Sequence, residues 1–340
     1  MSYKSGTFCR KFIFLTSLVL MLQSVAAQDF SGVQNIMEKR KNEFGGKMSV
    51  LVWKDTTVFQ KVVGEDFNLN TQAPVGCGSA WFTAAVVMTL VDQGKIQLDD
   101  PVSKYLPIFA TYAKSYLTIR HCLANTTGIE PDKGGVQKFF QKTKFETLEE
   151  EVNSFAKREI KNNPGEVFYY NNIGTNIAAR VVEVVSKRSF ERLASERIFR
   201  PLGMKRTRFV SEAGAINPFS GAESTAGDYL KFLAMLLNKG TLGTKKVLSP
   251  SSVDEMQKIQ TGQAQILFVP KQTEGSSYGL GNWIMHNVHN GMYASPALSG
   301  GWPYINTQKK YGAIIFGDAR DKEDKKDVYL EIGNELESLY

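Results

Sequence analysis

An α+β fold follows from three observations on the 340-residue sequence. β-branched strand patterns sit near both ends, helical patterns fill the middle, and no linker long enough to separate independent domains interrupts them. A pair of strands at either end is marginal alone in water, so the terminal strands are expected to share one antiparallel sheet. Helices flank that sheet, and the central ones form a lobe beside it, over roughly residues 105–245.

The elements follow in order. "KMSVLVWKD" and "TVFQKVVGE" are two β-branched runs across a short polar turn, an antiparallel hairpin. "FTAAVVMTLVDQG", Phe82 to Gly94, is apolar nearly all round, so it reads as a buried helix with Gly94 as its stop. "LEEEVNSFAKREI" carries Leu148, Val152, Phe155 and Ile160 at helical spacing and opens on glutamates that suit a helix N-terminus. "PGEVFYYNN" breaks the pattern. Helices resume at "GTNIAARVVEVVSK", "FERLASERIF" and "TAGDYLKFLAMLLNKG". The chain closes with strands at "NWIMHNV" and "YGAIIFGD" and a helix carrying Val328, Ile332 and Leu336.

Residues 1–27 stand apart. Lys4, Arg10 and Lys11 precede "FIFLTSLVLMLQ", which ends in "SVAAQ", the charged, apolar, small order of a secretory signal. The run is short for a membrane span. The expectation is an exported protein, secreted or periplasmic, whose residues 28–340 form one domain with no stable membrane span. The net charge of +7 falls to +4 (7 − 3) without those three cations, and no basic cluster with interleaved aromatics marks a nucleic-acid surface. Outside the signal the cysteines are Cys77 and Cys122, an exported pair able to form a disulfide, although Cys122 sits among core-like neighbours. His286 and His289 have a spacing that suits a metal but no carboxylate or thiol close by, so they read as a solvated turn and no metal or cofactor is expected.

"FTAAVVMTLVDQGKIQLDDPVSKYLP", "LTIRHCLANTTGI", "PGEVFYYNN", "RIFRPLGM" and "STAGDYLKFLAMLLNKG" occur in the order and spacing of the serine β-lactamase and penicillin-binding-protein family. The chain resembles its class C β-lactamase, D-amino-acid peptidase and esterase branch over roughly residues 31 to 335. The resemblance implies acyl transfer by an S-x-x-K serine that opens a helix, with a Y-x-N motif and a K-T-G or H-x-G strand completing the cleft. Here the serine position falls on Cys77 and the lysine position on Ala80. The Y-x-N motif survives as Tyr170-Asn171-Asn172. With the paired glycines aligned, the third motif falls on Leu298-Ser299-Gly300, followed by Gly301 and Trp302. Two of three motifs have lost the group that moves protons or carries charge.

Two readings of Cys77 follow. It is a thiol nucleophile, or a small residue filling a vacated pocket. In the first, Cys77, Tyr170 and Asn172 serve a hydrolase or acyltransferase acting on an ester, amide or D-amino-acid peptide. In the second, the protein is a degenerate homologue that binds a small peptide-like or acyl ligand along Ser299, Gly300, Gly301 and Trp302. Ser79 reads as a helix N-cap, and His121 as structural.

Overall fold

The computed structural model describes residues 28–131, 145–211, 214–297, 300–317 and 325–340. The expected signal therefore lies outside the described residues, as do Leu298 and Ser299. The expected sheet is present. Seven strands run in the order 277–278, 283–284, 292–294, 301–306, 311–317, 48–54 and 56–63, with every pairing antiparallel. N-terminal and C-terminal strands meet where Val50 lies opposite Ile315.

Alternation along these strands sorts their side chains to two faces. Val50, Val52, Trp302, Tyr304, Ala313 and Ile315 pack with Val33, Met37, Val328, Ile332 and Leu336 of the terminal helices Ser31–Arg40 and Lys326–Ser338. Leu51, Ile305, Ile314 and Phe316 face the opposite way, toward Leu230 and Leu233 of the helix Ala226–Leu237. The first terminal helix has no counterpart in the sequence expectations.

The apolar helix runs over Ser79–Asp92, three residues earlier than Phe82, and its residues 79–90 are all buried. It is the axis on which the helical lobe and the sheet meet. Gly281 lies against it with φ +74, and a Cβ there would sit 2.5 Å from the Ala80 carbonyl oxygen and 2.7 Å from the Ala84 Cβ. The next helix, Leu148–Lys157, is opened by a capping box between Thr147 and Glu150. It stops before Ile160, which was expected to continue it. Arg158 is extended and Ile160 instead pairs with Ile129. A separate pair of strands, Val167–Tyr169 and Gln265–Phe268, runs parallel at the edge of the lobe.

Candidate functional site

The turn Gly76–Gly78 delivers Cys77 to the N-terminal end of the apolar helix. Gly76 has φ +49, a conformation that costs glycine little. Three hydroxyls pin the three carbonyls of this turn. Ser79 Oγ donates to Gly76 O at 2.6 Å, Ser295 Oγ to Cys77 O at 3.3 Å, and Tyr229 Oη to Gly78 O at 2.8 Å. Ser79 is therefore not the N-cap expected of it. It is the first residue of the helix, and its oxygen also accepts the Ala222 N–H at 3.0 Å, so the side chain is committed to structure.

Cys77 and Ala80 are fully buried, and Tyr170 is 1% exposed. The Tyr170 hydroxyl hydrogen-bonds with Cys77. Around the pair, aromatic rings close in. Tyr170 lies 5.1 Å from Phe219, 5.0 Å from Trp283 and 5.8 Å from Tyr278, and Phe168 lies 5.4 Å from Tyr278. Burial pushes the Tyr170 and Tyr278 phenols well above the ordinary tyrosine range, and the neighbouring Cys77 adds to the rise in both. No cation is among the principal influences on either. Tyr170 is therefore a neutral phenol at pH 7. Beyond Tyr278 stands Asn125, whose Nδ2, like the Tyr278 hydroxyl, is buried without a hydrogen-bond partner, although the two side chains are near enough to interact.

The expected third motif at Leu298-Ser299 lies outside the described residues. Among the described residues, the one that meets the Cys77 carbonyl from the end of the 292–294 strand is Ser295. Its N–H and that of Ala297 are donated to Pro303 O at 3.1 Å and Gly301 O at 2.8 Å, on the edge away from Cys77. The intervening position is Pro296, which has no N–H to offer an acyl oxygen. Gly300 and Gly301 form the return into the next strand, where Gly300 has φ +96 and its carbonyl accepts the Gly317 N–H at 2.7 Å. Trp302 does not line the site. Strand alternation turns it to the terminal-helix face, where its ring lies 4.9 Å from that of Tyr329.

Asn172 is half-buried at the start of the helix Ile173–Ser186, and its carbonyl accepts the Asn176 N–H. The local hydrogen bonding is done by Asn171, whose Oδ1 accepts the Ile173 N–H at 2.8 Å. Cys77 and Cys122 are not joined in a disulfide. Burial raises the Cys122 thiol far above its usual range, consistent with a core position. His121 completes a capping box with Thr118, so its role is structural. Among the described residues there is no group of three or more His, Cys, Asp or Glu side chains able to hold a metal, and no helix long and apolar enough to cross a membrane.

The chain belongs to the Beta-lactamase family, whose profile matches residues 35–331. Among curated relatives it is 27% identical to the D-alanyl-D-alanine-carboxypeptidase/endopeptidase AmpH of Escherichia coli (strain K12), over 68% of this chain and 67% of that one. It is also 27% identical to Protein flp of Staphylococcus aureus (strain MW2), over 41% of this chain and 28% of that protein's length. A structure from Bacteroides dorei DSM 17855 classed with the beta-lactamases superposes with TM-score 0.78 at 28% identity, covering 88% of this chain and 93% of that one. The octameric penicillin-binding protein homologue from Pyrococcus abyssi has the same fold, with TM-score 0.75 at 22% identity over 91% of this chain and 78% of that one.

Proposed function

We propose that this chain is an exported, catalytically silent member of the family that holds a small peptide-like or acyl ligand without turning it over. One observation carries the reading: the Cys77–Tyr170 pair is buried among rings with Ala80 where the family has its lysine. A phenol raised by burial does not remove a thiol proton at neutral pH. Pro296, beside the Ser295 that meets the Cys77 carbonyl, has no backbone N–H to offer an acyl oxygen. The peptide-like class of ligand is supported by the name of the Escherichia coli relative, and export by the order of charge and apolar residues in positions 1–27.

The test is the intact mass of the protein after incubation with activated esters, thioesters and β-lactams, with Cys77 shown to be reduced. The expected outcome is no adduct. An adduct mapped to Cys77 and absent from Cys77→Ala would overturn the proposal and establish a thiol acyl-transferase.

A further inference from the structure

The strand Val167–Tyr169 and the residue after it have two faces with different fates. Phe168 and Tyr170 point inward to the ring cluster around Cys77. Val167 and Tyr169 face outward, where with Leu267, Ile129, Thr127 and Asn171 they line a cavity of about 250 Å³. The cavity wall is built rather than incidental. Glu130 N–H donates to Glu159 O at 3.0 Å and Lys161 N–H to Gly128 O at 3.1 Å. Gly128 has φ +69, and a Cβ on it would lie 2.0 Å from the Asn162 carbonyl oxygen, so the two segments are as close as backbones come.

The second strand of the pair, Gln265–Phe268, is exposed in a way parallel strands seldom are. Ile266 and Leu267 are 50% and 48% exposed. Among the described residues nothing pairs with the strand's other edge. Gln265 N–H is donated inward to Glu166 O at 2.8 Å, so strand alternation turns the Ile266 N–H outward.

We propose that this edge and cavity form a docking site for a neutral, extended peptide, which adds to Gln265–Phe268 as a third strand and seats one apolar side chain in the cavity. An unpaired strand edge presents main-chain donors and acceptors, for which another main chain is the complement. The cavity is smaller than the roughly 300–1,000 Å³ of a pocket for a whole small molecule, and suits a single side chain. The charges at its rim, Lys161 and Glu130, are paired with each other at 2.7 Å, so neither sign of ligand is selected. The site rests on the reading of a protein that binds rather than cleaves, and it places the ligand one strand outside the ring-filled recess at Cys77.

The probe is the blocked, uncharged peptide acetyl-Gln-Val-Leu-Val-Gln-amide, titrated into the protein by calorimetry beside the same peptide N-methylated at its leucine. Binding is expected at about millimolar concentration or tighter for the parent peptide, and about tenfold weaker for the methylated one. Leu267→Lys and Ile266→Pro are each expected to weaken the parent by about tenfold, with thermal unfolding unchanged because both side chains are exposed. Should Ile266→Pro fail to fold, the methylated peptide tests the same ladder in the wild type. No binding at millimolar peptide, or equal binding of both peptides and by Leu267→Lys, would overturn the proposal. An acyl adduct on Cys77 would instead overturn the silent-enzyme reading while leaving this titration as it stands.

Discussion

Cys77 sits beside two buried phenols. Tyr170 is hydrogen-bonded to it and held neutral by burial, and the next phenol inward, Tyr278, is held neutral by the same cause. Removing the hydroxyl with Tyr170→Phe is expected to cost about 1 kcal/mol in chemical denaturation and to leave the fold intact, because one neutral hydrogen bond is lost. Ala80→Lys is the sharper probe. It puts an ammonium into the buried apolar cluster that Ala80 shares with Tyr170, Tyr278 and Trp283, and a loss of about 3 kcal/mol or more in denaturant unfolding is expected. If stability were instead unchanged, the recess would have kept room for the family's cation, and Cys77→Ser/Ala80→Lys would then be the variant to assay for turnover.

The elements hold this arrangement by close backbone approach. The turn 76–78 is fixed by hydroxyls from the adjacent Ser79 and from two distant places, Tyr229 and Ser295, and Gly281 is wedged against the helix that follows. Gly281→Ala meets both a left-handed φ and a Cβ contact with the Ala80 carbonyl, so a loss of about 2–4 kcal/mol is expected in thermal or denaturant unfolding. A value within a few tenths would mean that the 279–282 segment shifts freely off the helix. At the other end of the lobe, Thr147→Ala removes the side chain that caps Leu148–Lys157 and should cost about 1 kcal/mol. That helix also shows why its end was misread from sequence. Ile160 has the right spacing for the apolar stripe, but its bridge to Ile129 draws it into extended backbone.

Across the whole molecule, further tyrosines share the condition of Tyr170 and Tyr278. Burial raises the Tyr229, Tyr304 and Tyr311 phenols well above their unfolded range, and Tyr340 to about 12. A folded pKa above the unfolded one leaves stability whole below the unfolded value, about pH 10, and removes it as pH rises toward the folded value. Alkaline titration should therefore show a large share of the phenolate absorbance appearing only together with loss of circular dichroism. A smooth non-cooperative titration near pH 10 would contradict the buried phenols. The fold class was legible in the sequence because alternation and helical spacing are local patterns, and the sheet then had to join both chain ends. That Cys77 and Ala80 stand at the start of the buried helix was legible for the same reason, because they adjoin "FTAA". Ser295 was not, since aligning paired glycines cannot show which residue of a strand meets a turn some 220 positions away in sequence. Trp302 was assigned to the site by nearness in sequence, yet strand alternation turns it to the terminal helices. The sequence alone determined the elements and the lost Ser and Lys. Only the tertiary structure decided that rings close over the thiol, because which side chains fill a space depends on contacts between segments that no local pattern encodes.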